Sequence, residues 1–236
     1  MTDSIKNMQR VAVLVSAACS ALIVNANSPS WAFESSLGWE SRYVAEGRDE
    51  LDRGGIFTAD GVVACQGFSF AFWSALGDRV HYQELQLTSA YTHTHRGWDF
   101  SAGWTHLEFN PDSGSDDELF IEMARVDFAG FELTGGWVYS FEAGGSFLGI
   151  ALKYPIALFE EKLLLEPYVQ ENVDFGYRTA GHDGLNNLQA GVDLSYALNE
   201  RFTMFAFLAH SWAQNDVRRE GLSDLSWGGW GLRAFF

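Results

Sequence analysis

The sequence is short of cations, of cysteine, of proline and, past its first 25 residues, of long apolar runs. Fifteen Lys and Arg stand against 31 Asp and Glu, a net charge of -16. Phosphate binding needs basic patches, so nucleic acid is excluded as a partner, and divalent cations or basic solutes fit better. Four prolines and no charged or Pro/Ser-rich linker leave nothing to divide the 236 residues, which read as one domain behind a leader. Only Cys65 lies beyond that leader, so no intramolecular disulfide can form and stability must come from the sheet. The apolar fraction is 47%, yet no stretch after the N-terminus is long enough for a transmembrane helix. Any membrane crossing must therefore be made by strands.

The leader has the parts of a secretory signal. Lys6 and Arg10 form a basic start, Val11 to Val24 an apolar stretch too short to span, and small residues follow. Cleavage could follow Ala26 or Ala32, and Ser30 at the minus-three position favours the second. Cys19 is not a lipoprotein signal, because Ser16 stands where a lipobox wants Leu. The expected division is a signal peptide over 1-32 and a β-barrel over 33-236.

From Ser36 onward apolar and polar residues alternate with period two, in segments of about ten residues separated by Gly, Asn and Asp clusters. Phe131, Leu133, Gly135, Trp137, Tyr139 and Phe141 share one face of such a segment; Glu132, Thr134, Gly136, Ser140 and Glu142 share the other with Val138. Segments of this kind surround Leu37, Thr58, Phe70, Leu87, Phe100, Ala124, Leu133, Ile150, Leu165, Leu194, Phe205 and Trp230. About twelve strands with apolar, aromatic-ended outer faces form an all-β, antiparallel up-and-down transmembrane barrel. A soluble sandwich also alternates, but has no use for aromatics at both ends of so many outward faces.

The connections alternate too. Short links at Gln66-Gly67, His95-Arg96-Gly97, Ala129-Gly130 and Asn199-Glu200, with a longer one from Pro155 to Lys162, belong on the periplasmic side. Longer, more acidic ones over Gly47 to Gly55, Asn110 to Glu118, Val173 to Asn186 and Gln214 to Ser226 belong outside. The last strand sets Trp230, Leu232, Ala234 and Phe236 towards lipid. Its terminal Phe resembles the signal by which outer-membrane proteins engage the barrel-assembly machinery.

The stretch Trp39-Glu40-Ser41-Arg42-Tyr43-Val44-Ala45-Glu46-Gly47-Arg48, followed by Gly54 to Gly67, resembles the opening of the TorF-like porin family of proteobacteria, in which a Tyr-x-x-x-Gly strand begins the mature chain. Glu46-Gly47 stands where that family has Arg-Gly, and the match covers about forty residues. The resemblance implies a Gram-negative outer-membrane barrel of general transport role; it carries over no ligand residues.

The expected lumen collects Glu40, Arg42, Asp60, Glu84, Asp99, Arg125, Asp127, Glu132, Lys153, Glu166, Asp193 and Arg233. One reading is a self-satisfying ion-pair network; the other makes the acidic surplus a filter favouring cations. Trp73, Phe205, Phe207 and Phe235 would point inward and constrict a lumen between the filled eight-stranded and the open porin kinds. The function expected is passive diffusion of small solutes or cations, in contact with outer-membrane lipid and lipopolysaccharide and needing no cofactor. Two further classes stay open. A surface-binding barrel would use Asp112, Asp116, Asp117 and Glu118 to hold divalent cations that bridge lipopolysaccharide. An enzyme would use His93 with His95, a pair lacking a third ligand, or His210 and Ser211, which as strand neighbours point to opposite faces.

Overall fold

The computed structural model describes residues 31-236 apart from 52, 112, 113 and 161. Residues 1-30 of the expected leader lie outside the described residues, and Ala32 begins the first strand. In chain order the elements are β1 (Ala32–Glu40), β2 (Val44–Ala45), β3 (Arg48–Asp49), β4 (Ile56–Cys65), β5 (Phe68–Gly77), β6 (Gln83–His95), β7 (Trp98–Asn110), β8 (Gly114–Phe128), β9 (Phe131–Ser140), β10 (Gly145–Lys153), β11 (Ile156–Leu158), β12 (Leu163–Phe175), β13 (Asp183–Ala197), β14 (Phe202–Ala213), α1 (Asn215–Arg219) and β15 (Leu225–Phe235).

Twelve of these strands close an antiparallel barrel. Each pairs with its neighbour in sequence, β10 pairs with β12 across the β11 connection, and β15 returns to pair with β1. Phe236 completes the seam: its N–H donates to the Phe33 carbonyl at 2.8 Å, the Phe33 N–H donates back at 3.1 Å, and the two rings meet 5.8 Å apart. All twelve segments named from the alternation fall in barrel strands, and no helix among the described residues is long and apolar enough to cross a membrane.

The outer face is apolar and uncovered. Leu37, Phe57, Ile121, Ile150, Leu208 and Trp230 are each more than half exposed, as lipid-facing side chains are and sandwich cores are not. At one rim Phe68 packs on Tyr91 (4.8 Å) and Phe131 on Tyr154 (5.0 Å); at the other, Tyr139 meets Phe141 edge-on at 5.4 Å. These are the two aromatic girdles.

Three short links, Gln66-Gly67, Arg96-Gly97 and Ala129-Gly130, are two-residue turns with positive φ at both positions, the type whose twist matches a hairpin's strands. A fourth turn of the same form, Glu46-Gly47, joins β2 to β3. Its hairpin lies at the other end of the barrel and folds inward.

Candidate functional site

Inside, the barrel has two tiers. The upper one is made by the connection from β1 to β4, which crosses the mouth instead of standing out as an exposed loop. On one side Tyr43, Ala45 and Leu51 are buried against Ile56, Ala75, Leu107 and Phe109, with Trp73 and Tyr82 packed around them. Tyr43 and Tyr82 both donate to Glu84, at 2.6 and 2.5 Å, and Gln86 donates to its other oxygen at 2.7 Å. Glu84 is thereby saturated and not free to meet a solute.

On the other side the hairpin tip is held by two arginines. Arg48, 4% exposed, makes a bidentate pair with Glu220 (3.0 and 2.8 Å) and reaches Asp216 at 3.0 Å and Asn186 at 2.9 Å. Arg178, from the loop after β12, pairs with Glu50 at 2.5 Å and lies 3.8 Å from Glu46. Asp174 shapes that loop by accepting the N–H groups of Tyr177, Arg178 and Thr179, and Tyr177 donates to Glu118. Gly47 sits so close to Asn187 that a Cβ there would come within 2.8 Å of its amide carbon.

Glu46 is the odd member. It is 8% exposed, has a φ of 43° that an L-residue adopts at a cost, and neither carboxylate oxygen has a hydrogen-bond partner. Burial, opposed in part by Arg178, pushes its carboxyl well above the usual range; Glu50 is raised by the same burial.

The lower tier is lined by strand residues. Glu34, 1% exposed, pairs with Arg233 at 3.0 Å; Lys153 reaches Asp193 at 2.9 Å and Glu166 at 3.9 Å, with Glu132 opposite it in register. Ser36 donates to Asp60, and Thr94 to Asp99 at 2.5 Å. Glu40 and Glu122 face the lumen with no hydrogen-bond or ion-pair partner among the described residues. The tally in this tier is eight carboxylates (Glu34, Glu40, Asp60, Asp99, Glu122, Glu132, Glu166, Asp193) to two cations (Lys153, Arg233).

The inward aromatics do not all constrict. A Cβ at Gly229 would come within 2.6 Å of the Phe207 ring, and one at Gly231 would collide with Phe205. The two rings therefore pack against glycines of β15. Phe120 packs against Gly103 and Tyr168 against Gly191 in the same way.

Nine of the twelve lumen residues expected from sequence face the interior: Glu40, Asp60, Glu84, Asp99, Glu132, Lys153, Glu166, Asp193 and Arg233. Three need correction. Arg42 lies past the end of β1, half exposed and paired with Asp49 at 2.7 Å. Arg125 is on the outer face, its guanidinium 5.4 Å from the Trp98 ring and 5.9 Å from Phe128. Asp127 has φ 65° and accepts the Gly130 N–H in the turn between β8 and β9. A register shift between Arg125 and Phe128 swaps the faces of β8, so alternation counted back from Phe128 puts the wrong set inside. Counted from Glu118, it puts Glu122 inside.

The surface set is divided as well. Asp116 and Glu118 are buried inside, Asp117 bonds His106 on the outer face at 2.9 Å, and Asp112 is outside the described residues. His93 and His95 stack 6.3 Å apart with no carboxylate beside them. Ser211 bonds Asn187 inside, whereas His210 bonds Ser226 of the next strand at 2.7 Å outside. Glu34, Arg48, Arg178, Asp216 and Glu220 were not anticipated from the sequence.

No family model matches the chain, and no curated protein matches it, so the TorF-like resemblance rests on its motif alone. Solved structures do match. The barrel is similar to the KdgM porin (TM-score 0.57, 9% identity, 87% of this chain and 99% of that one) and to the NanC porin (0.56, 12%, 86% and 98%). It is also similar to the COG4313 outer membrane channel from Pseudomonas putida F1 (0.55, 10%, 89% and 97%). At these identities the likeness shows the fold: a closed antiparallel β-barrel of twelve strands.

Proposed function

We propose that this chain is an outer-membrane channel through which small solutes diffuse passively, with a modest preference for cations. It reaches the membrane through a cleaved leader over 1-32, is inserted by the barrel-assembly machinery acting on the strand that ends in Phe236, and sits among lipopolysaccharide. The reading is carried by the charge of the lower tier: eight carboxylates to two cations, both cations already engaged by carboxylates. Rings of carboxylates concentrate cations and repel anions at close quarters.

A second reading has its own support. The hairpin docked across the mouth fits a barrel that does not conduct and serves a structural or surface-binding role. Single-channel recording of the refolded mature chain under a potassium chloride gradient separates the two. Discrete openings with a cation-favouring reversal potential are the expected result. An inserted but silent barrel would overturn the channel, and a reversal potential at zero or of anionic sign would overturn the preference.

A further inference from the structure

Phe205 and Phe207 lie two residues apart on β14, each packed against a glycine of β15. The ring of Phe205 already carries a cation. The Arg233 guanidinium lies 5.5 Å from its centroid while its Nε donates to Glu34 at 3.0 Å, so a ring face and a carboxylate together hold a planar cation on the lumen wall. The chain itself supplies the ligand.

Around Phe207 a ring and a carboxylate share one register row. Its register neighbours are Asp193 on β13 and Gly229 on β15, and Gly229 is in turn paired with Glu40 on β1. One line across the wall thus reads carboxylate, ring, glycine, carboxylate. Asp193 is taken up by Lys153, but Glu40 has no partner among the described residues. Gly229 lets the Phe207 ring pack against the β15 backbone towards Glu40, since a Cβ there would come within 2.6 Å of the ring and 2.7 Å of the Trp39 carbonyl.

From this juxtaposition, and from the Arg233 guanidinium held by Phe205 and Glu34 on the same wall, we infer that Phe207 and Glu40 form a subsite for small organic cations, with the guanidinium group as the best-fitting head: its plane suits the ring and its N–H groups suit the Glu40 carboxylate. The inference rests on the channel reading for its biological use, because a wall subsite matters to a solute that passes through. Spherical, strongly hydrated sodium gains little from a ring face, whereas a flat, weakly hydrated guanidinium gains from both groups. The preference is therefore by shape as well as by charge.

The test compares guanidinium chloride with sodium chloride under bi-ionic conditions in a planar bilayer, for the native chain and for Phe207→Leu, which keeps an apolar side chain and removes the ring face. The native guanidinium-to-sodium permeability ratio is expected to exceed that of the variant roughly two- to five-fold, with Glu40→Gln lowering it as well. Equal ratios in native and Phe207→Leu channels would overturn the subsite while leaving the channel intact. If the inserted barrel is silent, saturation-transfer NMR with agmatine on the detergent-refolded barrel decides the matter: transfer that Phe207→Leu abolishes sustains the subsite without the channel, and no transfer to the native chain overturns it.

Discussion

The two tiers of the lumen are made of the same kinds of residue and use them oppositely. In the upper tier Arg48 and Arg178 bind the hairpin to the wall through Glu220, Asp216 and Glu50, and Glu84 is saturated by two tyrosines and Gln86. In the lower tier Glu40 and Glu122 have no hydrogen-bond or ion-pair partner among the described residues, and the rings of Phe205 and Phe207 pack against glycines of β15. Paired charge with packed aromatics closes space, while unpaired charge over glycine keeps it open and polar. In the proposed channel, the upper tier sets how much passes and the lower tier sets which charge passes.

The largest break in that comparison is to remove the crossing. Replacing residues 44-49 by a short glycine-serine link takes away the hairpin and the anchor Arg48 but touches no strand of the barrel. Unit conductance is expected to rise several-fold with the cation preference kept. A conductance that stays the same would mean the hairpin does not limit passage, and a lost preference would place selectivity in the upper tier.

The uneven legibility of these tiers has a physical cause. Strands that face lipid on one side must alternate, so the barrel, its strand number, its short turns and most lower-tier residues can be read from periodicity. Where the ladder slips, reading fails: the bulge near the end of β8 exchanged Arg125 and Asp127 for Glu122. The upper tier is set by tertiary packing between segments more than a hundred residues apart, such as Arg48 with Glu220, and periodicity is blind to that. A clue was present nonetheless. Tyr43, Ala45 and Leu51 are apolar for an exposed loop, and Glu46-Gly47 has the form of a hairpin turn.

A narrower cut removes one anchor. Arg48→Ala leaves the buried Asp216 carboxylate without its cation, and breaking such a pair costs about 3-5 kcal/mol. The expected result is a hairpin that undocks while the barrel stays folded, seen as loss of amide protection confined to residues 43-51 and as flickering, larger openings. Protection unchanged in that segment would show that the apolar contacts of Tyr43 and Leu51 suffice.

The finest distinction is by pH. Glu46 is raised by burial, so the docked hairpin holds a proton that the undocked one releases above about pH 4.3. Docking by this group therefore weakens as pH rises from there towards its elevated value, and Glu50 acts in the same direction. Glu220 has the opposite sign: although burial works against it, the Arg48 and Thr179 hydrogen bonds hold it below the usual range, so its contribution is present above about pH 4.3 and is lost as pH falls through the lowered value. The hairpin should be held most firmly in mild acid and open more often as pH rises from about 4.3 towards the raised values of Glu46 and Glu50. The informative quantity is open probability, compared between the native chain and Glu46→Gln. The variant has no proton to release at that position, so its open probability should climb less steeply than the native chain's, the remaining slope belonging to Glu50. Parallel profiles would move the pH sensor from the hairpin tip to the wall beneath it.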